Sequence, residues 1–401
     1  MSTLRRIAIV GGGKRAITLG KALLAERDRG VLVAIAEPRP DRVEDCRRIF
    51  GVSDVQYYRD HKELLSRCPG VDGVIVATSV PTHADVTCDC LDRRAPVYLE
   101  KPISNSVESA RRIVEAARRT GTPVFVGFNL RYAPFFEKLH EIVSSGQIGR
   151  VLAINWTEGI PARMWGDDYC RSPSYNRRSA IGSLLLEKSC HDVDQINWLL
   201  GVRCARVASF GSRGHFLPRP DLPERCSPEC PEHAQCFFYS PTPERRGRLL
   251  PEDSTLCVYH CGSDLVDRQT AILEYENGVV ANLNVAVGWT PPGRFLAVCG
   301  TTASLTASSG ENRISVRELR SDIETVYHPT VTEAGHGGAD ERCVRGFLEC
   351  LSDPAESPRA MIADGFESVL MGCAIDTALR EHRVVELAPL RGNAAEVGDD
   401  K

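Results

Sequence analysis

The sequence predicts an α/β protein in which a doubly wound parallel sheet is followed by a second domain with an open, mostly antiparallel sheet. A glycine-rich turn, Gly11-Gly12-Gly13, lies between an apolar segment and a helical pattern near the start of the chain. Short apolar strands then alternate with helices to about residue 128, which favours parallel strands joined by right-handed crossovers. Beyond residue 129, longer strand patterns with few helices between them indicate an antiparallel sheet with helices on one face.

Length and composition set the limits of this interpretation. A chain of 401 residues exceeds the size at which one hydrophobic core stops growing, so two domains are expected. We place the first domain at residues 1–128, the second at 129–390 and a polar tail at 391–401. With 49 Lys and Arg against 53 Asp and Glu, the charge balance gives no reason to expect a nucleic acid or membrane partner.

The cellular location is predicted from the apolar segments and the cysteines. No apolar run approaches the roughly 18 residues that a membrane span requires. The chain has 16 cysteines, most of them in helix-like or strand-like segments where a reduced thiol behaves as a small apolar group. We therefore expect a cytoplasmic protein.

The glycine-rich turn has the spacing of a dinucleotide site. Residues 4–10 form a short strand rich in β-branched residues, and a helical pattern runs from the turn to about residue 26. In the pattern G-x-G-x-x-A, the first glycine permits the turn, the second lets a pyrophosphate approach the backbone, and the alanine allows close helix packing. The candidate cofactor contacts of this turn are Gly11, Gly13, Lys14, Arg15 and Ala16.

The second strand, residues 31–36, ends at Glu37, where a carboxylate is placed to accept hydrogen bonds from an adenosine ribose diol. A carboxylate there repels a 2′-phosphate, so NAD is favoured over NADP. Arg39 lies two residues further on and offsets that preference, which leaves NADP open. A solvated loop carboxylate is the alternative for Glu37.

The rest of the first domain continues the alternation, with strands predicted near 56–58, 71–77, 97–99 and 123–126. Ligands of such sheets bind at the carboxyl ends of the strands, and Thr78, His83 and Lys101 fall there. The second domain is predicted to contain helices at 133–145, 183–200, 339–352 and 361–381, a polar loop at 160–180, and strands at 151–158, 268–275, 279–287, 295–299, 304–306 and 384–387.

Four motifs occur together in this chain: the glycine turn, Glu100-Lys101-Pro102 after the fifth strand, Gly-Phe-Asn-Leu-Arg-Tyr at residues 127–132, and E-x-x-x-H-D-x-D at residues 187–194. The combination resembles the Gfo/Idh/MocA family of NAD(P)-dependent oxidoreductases over roughly residues 4–388. The resemblance implies substrates such as sugars, inositols or related polyols, and a homo-oligomer, either a dimer or a tetramer.

The same resemblance implies roles for particular residues. Lys101 would contact the substrate hydroxyl and the nicotinamide, and His191 would accept the proton. The family often has aspartate four residues before this histidine, where this chain has Glu187. The further cofactor contacts that the resemblance implies are Thr78, Pro81, His83, Glu100 and Asn129, and Arg131 is implied as a substrate contact.

The chemistry of hydride transfer needs these residue types. A secondary hydroxyl must lose its proton as the C–H bond breaks, and an imidazole with an ordinary pKa of ~6.5 suits His191 as the general base. An ammonium group near the oxygen stabilises the developing alkoxide, which suits Lys101. On a continuous helix Glu187, His191 and Asp194 would share a face, so that Glu187 would orient the imidazole.

Other polar residues are weaker candidates for substrate binding. Lys188 and Asp192 form an i, i+4 pair that is either a second substrate-facing column or a structural salt bridge. The loop before the helix is a natural place for substrate selection, and a glycine-rich loop follows residue 334. The candidates in and around these segments are Trp165, Tyr169, Arg178, Lys188 and His336.

A proline-rich insert at residues 214–261 carries five cysteines. Their spacing in a reducing compartment more often indicates a metal than disulfides, because four thiolates bind Zn²⁺ tetrahedrally and fold a loop that has no core of its own. The intervals depart from a strict C-x₂-C pair, so unligated cysteines are an equal alternative to structural zinc. The candidate ligands are Cys226, Cys230, Cys236, Cys257 and Cys261.

The sequence thus predicts an NAD(P)-dependent dehydrogenase or reductase acting on a carbohydrate-like hydroxyl or ketone. One alternative is a redox-neutral glycosidase or lyase that oxidises its substrate transiently, eliminates a leaving group and returns the hydride. The Lys188 and Asp192 pair would suit its longer series of proton transfers. A non-catalytic nucleotide-binding sensor is the third hypothesis, because a fold alone does not prove activity.

Overall fold

The computed structural model describes residues 4–172, 175–241, 255–330, 338–353 and 359–392. The chain forms two compact units. Unit 1 comprises residues 1–137, 330–370 and 390–401, and unit 2 comprises residues 138–329 and 371–389. Unit 1 therefore includes a late segment, residues 330–370, that the sequence analysis assigned to the second domain. None of the helices in the described ranges is long and apolar enough to cross a membrane.

Unit 1 contains the predicted parallel sheet, which confirms the first half of the fold. Its six strands are ordered β3-β2-β1-β4-β5-β6, and all their pairings are parallel. The order reverses between β1 and β4, so the crevice that binds ligands in such sheets lies at the carboxyl ends of these two strands. The strands are β1 (Arg5–Val10), β2 (Gly30–Ala36), β3 (Gln56–Tyr58), β4 (Gly73–Val76), β5 (Val97–Leu99) and β6 (Val124–Val126).

Helices connect these strands and cover the sheet. They are α1 (Lys14–Ala25), α2 (Pro40–Phe50), α3 (His61–Arg67), α4 (His83–Asp92) and α5 (Val107–Thr120), joined by the late helix α11 (Ala339–Ser352). The hydrophobic core contains Ile9 of β1, Leu19 of α1 and Phe347 of α11. Because α11 buries its apolar side chains in this core, the late segment is part of unit 1.

Unit 2 is built on a nine-stranded sheet ordered β14-β13-β12-β11-β7-β10-β9-β8-β15. The pairing of β7 with β10 is parallel and the other pairings are antiparallel, which confirms the expected mostly antiparallel sheet. The strands are β7 (Val151–Ile160), β8 (Cys204–Ser212), β9 (Arg268–Tyr275), β10 (Val280–Val287), β11 (Gly293–Gly300), β12 (Ala303–Ser308), β13 (Arg313–Glu318), β14 (Glu324–Tyr327) and β15 (Val385–Glu386).

One face of this sheet is buried and the other is open. Along β9, buried residues alternate with more exposed ones, as a half-covered strand requires. Phe210 of β8 and Ile272 of β9 lie on the open face and are 70% and 44% exposed.

The remaining helices are α6 (Pro134–Ser144), α7 (Ala162–Trp165), α8 (Arg178–Ile181), α9 (Leu184–Glu187), α10 (Cys190–Leu200), α12 (Ile362–Glu381) and α13 (Ala388–Arg391).

The helix predicted over residues 183–200 is divided in the structure. The chain forms a short helix, α9, capped by the Ser183 hydroxyl, and a second helix, α10, that begins at Cys190. Lys188 and Ser189 form the turn between them. The prediction of one continuous helix was therefore wrong, and Glu187 and His191 belong to different helices.

Candidate active site

The glycine turn of unit 1 has the geometry that a dinucleotide needs. Gly11 has a φ of +108°, and a Cβ atom there would lie 2.6 Å from the Ala77 carbonyl oxygen. The turn leads into the first turn of α1, which carries no acidic residue. Positive charge from the helix dipole favours a phosphate at this position. Gly13 is the N-cap of α1. Ala16 is buried in the hydrophobic core, in agreement with the predicted close packing of this helix against the sheet.

Glu37 lies at the carboxyl end of β2, next to the glycine turn. Its carboxylate accepts hydrogen bonds from the Gly12 N–H at 2.6 Å and the Arg39 N–H at 3.0 Å. The Arg39 guanidinium forms a salt bridge with Asp41 at 2.6 Å. Arg42 Nη1 lies 4.0 Å from the Glu37 carboxylate, so it is a second cation at this position. Arg42 was not among the predicted cofactor residues, although a cation in the first turn of the helix after β2 is a signal for such a contact.

The loop that carries Lys101 follows β5, and β5 pairs with β4 in parallel register. Thr78, two residues beyond β4, and Lys101 therefore belong to the same edge of the sheet. Glu100 is buried, and its carboxylate accepts a hydrogen bond from the Lys101 N–H at 3.1 Å. The catalytic lysine predicted from the sequence is thus at the ligand-binding edge of the parallel sheet.

His83 was predicted to contact the cofactor, which stays a prediction, and the structure shows its contacts within unit 1. The residue is 1% exposed. One ring nitrogen lies 3.0 Å from the Pro102 carbonyl oxygen and the other lies 3.2 Å from the Thr78 carbonyl oxygen. The imidazole therefore ties the Thr78 loop to the loop that contains Lys101. Pro81 lies in an exposed turn that directly precedes α4.

Two further predicted ligands also make contacts within unit 1. Asn129 is buried and donates its side-chain N–H to Asp340 at 2.8 Å. Arg131 is 3% exposed, donates to the Arg359 carbonyl oxygen and forms a salt bridge with Asp364 at 3.0 Å. Both residues therefore connect the segment after β6 to later segments of unit 1.

In unit 2, the helix that carries His191 is fastened to the sheet by a buried polar cluster. Asp192 Oδ1 accepts hydrogen bonds from Trp156 Nε1 at 2.6 Å and Arg294 Nε at 2.7 Å. Arg294 Nη2 also donates to Glu158 at 3.1 Å. The Ser189 hydroxyl donates to the other oxygen of Glu158 at 2.5 Å. These contacts fix the residues on both sides of His191.

The same contacts correct the interpretation of Lys188 and Asp192 as a pair. Lys188 Nζ lies 3.6 Å from Glu158, whereas Asp192 binds Arg294 and Trp156. Lys188 therefore pairs with Glu158 and not with Asp192, although both side chains lie beside Glu158. The observation that favoured a redox-neutral mechanism, an additional proton-transfer pair on one helix face, is not present.

The cluster holds two carboxylates with different proton affinities. Burial raises the pKa of Asp192 to about 7, and the neighbouring Glu158 carboxylate contributes to this rise. Burial also acts against ionisation of Glu158, but the positive charges of Arg294 and Lys188 prevail and lower its pKa to about 2. Near neutral pH, Glu158 is therefore ionised while Asp192 titrates.

We expect this titration to appear as a pH dependence of stability. Because the folded pKa of Asp192, about 7, exceeds its ordinary 3.8, the stabilisation from protonation is complete below pH 3.8 and is lost as the pH rises through 7. The free energy of unfolding should therefore fall between about pH 4 and 7, by up to ~1.4 kcal/mol per pH unit, and level off above this range. The folded pKa of Glu158, about 2, lies below its ordinary 4.5, so ionised Glu158 stabilises the protein above pH 4.5 and this stabilisation is lost as the pH falls through 2.

Urea denaturation at several pH values measures this effect. The Asp192→Asn variant keeps a neutral side chain of the same shape, so its unfolding free energy should be flatter than that of the wild type over this pH range. Parallel profiles for the two proteins would show that Asp192 does not titrate there.

Three candidate substrate residues lie in or beside the segment before α9. Trp165 and Tyr169 are buried, and their rings stack at a centroid distance of 4.2 Å. Arg178 forms a salt bridge with Asp376, and its backbone N–H donates to Asp264 at 2.8 Å. These contacts give each residue a packing role in unit 2, and their role in substrate binding stays a prediction. His336 lies outside the described residues.

The predicted zinc site finds no support in the structure. Within the described ranges, no three His, Cys, Asp or Glu side chains are grouped closely enough to hold a metal ion. The insert is instead held by Arg171, which is 1% exposed. Its guanidinium donates to the carbonyl oxygen of Leu256 at 2.7 Å and to that of Phe238 at 2.5 Å. Its guanidinium also lies 3.6 Å from Cys226 Sγ. An arginine from the preceding segment therefore organises this loop.

A glycine turn, a carboxylate directly after β2 and a lysine at the carboxyl edge of one parallel sheet are the features of a dinucleotide-binding Rossmann domain, here joined to a mixed-sheet domain. The family description "Oxidoreductase family, NAD-binding Rossmann fold" matches residues 5–128. The description "GFO/IDH/MocA C-terminal domain" matches residues 136–306. The chain belongs to the Gfo/Idh/MocA family of oxidoreductases.

Individual relatives agree with this assignment. The chain is 26% identical to the Bacillus subtilis protein YteT, over 84% of this chain and 87% of that one. It is 30% identical to the myo-inositol 2-dehydrogenase of Thermotoga maritima, over 52% of this chain and 58% of the enzyme. A solved levoglucosan dehydrogenase, in complex with NADH and levoglucosan, has a TM-score of 0.76 at 18% identity, over 96% of this chain and all of that one. At this identity the structural similarity shows the fold.

Proposed function

We propose that this protein is an NAD-dependent dehydrogenase that oxidises a secondary hydroxyl of an inositol, a sugar or a related polyol. The observation that carries the proposal is the placement of Lys101 at the carboxyl edge of the parallel sheet, next to the Thr78 loop. The names of the relatives support the substrate class, because they include dehydrogenases of inositols and of an anhydrosugar.

Each proposed catalytic residue has one task. Bound NAD would accept the hydride from the carbinol carbon. His191 would receive the hydroxyl proton as general base, a role that its position beside the fixed residues Ser189 and Asp192 supports. The Lys101 ammonium would stabilise the negative charge that develops on the oxygen. Glu187, which is 6% exposed, is proposed to influence the imidazole from the preceding helix.

The carboxylate of Glu37 supports NAD as the preferred cofactor, with NADP bound more weakly. We expect Glu37→Ala to weaken NADH binding about 10-fold or more, because hydrogen bonds to a charged group contribute about 1.5–3 kcal/mol. NADPH binding should improve, since the repulsion of the 2′-phosphate is removed while Arg42 remains. Titration of both reduced cofactors by fluorescence measures the change.

Glu44→Ala is the matched control, because Glu44 is an exposed carboxylate on α2, the helix that follows Glu37 in the chain. Its cofactor preference should equal that of the wild type. An unchanged preference in Glu37→Ala would remove the assignment of Glu37 to the ribose.

The proposed activity is tested by absorbance at the reduced nicotinamide band. Purified protein is incubated with NAD, and separately with NADP, against inositols, sugars, anhydrosugars, sugar acids and glycosides. Growth of the band with one compound class supports the dehydrogenase. A silent band with release of an aglycone or water would support the redox-neutral alternative, and a silent band with unchanged compounds and bound NADH would favour a sensor.

We also propose a homo-oligomer that covers the open face of the unit 2 sheet. Phe210 and Ile272 are large apolar side chains on this face, and exposed apolar patches are typical of subunit contacts. Light scattering of the purified protein would distinguish a dimer or tetramer from a monomer.

A cytoplasmic location is proposed as well, since buried thiols such as Cys46, Cys90 and Cys343 suit a reducing environment.

A further inference from the structure

Arg15 lies in the first turn of α1, directly after the glycine turn, and its side chain binds two buried carboxylates of unit 1. Its Nε and Nη2 atoms donate to Glu100 Oε1 at 3.0 and 2.6 Å. Nη2 also donates to Asp340 Oδ1 at 3.0 Å. The side chains of Glu100 and Asp340 are 4% and 5% exposed, whereas that of Arg15 is 30% exposed. One guanidinium therefore neutralises two carboxylates that have little access to water.

Glu100 passes this restraint to its neighbour, Lys101. One carboxylate oxygen is occupied by Arg15, and the other accepts the Lys101 N–H at 3.1 Å. The Glu100 N–H itself donates to the Val76 carbonyl oxygen of β4 at 3.0 Å. Both the side chain and the backbone of Glu100 are thus held, and the backbone conformation of Lys101 depends on the carboxylate that Arg15 orients.

Asp340 restrains the Arg15 guanidinium as a second acceptor. The oxygen that accepts from Arg15 also accepts from the Asn129 side chain at 2.8 Å. Residues from four separate segments of unit 1 are therefore joined in one hydrogen-bonded network, in which Glu100 and Asp340 bind the Arg15 guanidinium and Asn129 binds Asp340.

We propose that Arg15 is a positioning residue that links the nucleotide-binding turn to the catalytic lysine, rather than the cofactor contact predicted from the sequence. It orients Glu100, and Glu100 sets the backbone of Lys101. The proposal rests on the proposed dehydrogenase function for its kinetic consequence, whereas its structural consequence is independent of any substrate.

The test compares Arg15→Lys with a matched control, Arg345→Lys. Arg345 also donates Nε and Nη2 to one oxygen of a buried glutamate, Glu26, at 2.9 and 2.7 Å. Glu26 lies just beyond the other end of α1. Lysine retains the charge in both variants but lacks the planar fork that holds two carboxylates at fixed angles. Arg15→Met serves as a second variant that removes the charge.

Three quantities are measured: turnover with a substrate found in the panel, the Kd for NADH, and hydrogen exchange of a peptide that covers residues 97–104. We expect Arg15→Lys to lower kcat about 100-fold, because misplacement by ~1 Å costs this much. The Kd for NADH should change far less than kcat, and exchange in the peptide should become about tenfold faster as the loop opens locally. Arg15→Met should show the same effects more strongly, and Arg345→Lys should show neither.

Other outcomes would overturn the proposal. A large rise in the Kd for NADH with normal kcat and normal exchange in Arg15→Lys would make Arg15 a cofactor ligand. Equal losses in Arg15→Lys and Arg345→Lys would show a general effect on stability. If the wild type oxidises none of the compounds, the proposed function fails while the exchange measurement still decides the role of Arg15: unchanged exchange in both Arg15 variants would refute it.

Discussion

Replacement of Lys101 by methionine is expected to lower kcat about 10²–10³-fold, the usual cost of removing one group that stabilises a developing oxyanion. Methionine keeps the length and the apolar stem of the side chain but removes the ammonium. NADH binding should persist, because the glycine turn and Glu37 are separate from this side chain. Steady-state kinetics together with NADH titration would separate the two effects.

Two variants sharpen this experiment. Lys21→Met removes an exposed lysine from α1 and should leave kcat unchanged. Lys101→Arg keeps the positive charge in a different shape, and a planar guanidinium should restore little of the activity. Retention of most activity in Lys101→Met would overturn the catalytic assignment of this residue.

The second large effect is expected in unit 2, where Arg294→Met should destabilise the protein by about 3–5 kcal/mol, the usual cost of breaking a buried ion pair. The side chain is 15% exposed, and its partners Asp192 and Glu158 are 0% and 3% exposed. Without the guanidinium, these two carboxylates would be buried side by side. Urea or thermal denaturation of both proteins measures the loss.

A matched control and a rescue variant identify the cause. Arg206→Met removes an arginine that pairs with Glu274 at the surface of the same sheet, and it should leave the unfolding midpoint unchanged. Combining Arg294→Met with Asp192→Asn should recover part of the lost stability, because one of the two carboxylates is then neutral. An unfolding midpoint for Arg294→Met equal to that of the wild type would show that the ion pairs of Arg294 do not stabilise the protein.

The parts of the fold that the sequence predicted are those encoded locally. The first strand, the glycine turn and α1 are consecutive in the chain, so their pattern contains all the information that the turn requires. Glu37 and Lys101 were predicted from the same local signal, because each lies within two residues of the end of an apolar strand. The alternation along β9 likewise revealed a half-covered strand.

The parts that the sequence did not predict depend on residues far apart in the chain. Arg15 and Glu100 are separated by 85 positions, and Asp192 and Arg294 by 102. No local pattern indicates which arginine will meet which carboxylate. Glu158 was missed for the same reason, because it lies within β7 and its partners Ser189 and Arg294 are distant in the sequence.

Two expectations failed for physical reasons that the structure makes clear. Cysteine spacing suggested a metal, but in the described part of the insert arginine hydrogen bonds to backbone carbonyls organise the chain instead. Helical periodicity suggested one helix over residues 183–200, but Ser189 uses its hydroxyl to bind Glu158 in the turn that separates α9 from α10. Periodicity along a segment does not reveal a tertiary contact of this kind.

In the proposed reaction, hydride passes from a carbinol carbon of the substrate to NAD. The most direct test uses the active compound from the panel with deuterium at the oxidised carbon, followed by mass spectrometry of the nicotinamide. The proposed function predicts one deuterium on the reduced cofactor, a slower reaction of the labelled compound, and loss of both signals in Lys101→Met. Deuterium that returns to the product, with no accumulation of labelled NADH, would contradict the dehydrogenase and support a redox-neutral reaction.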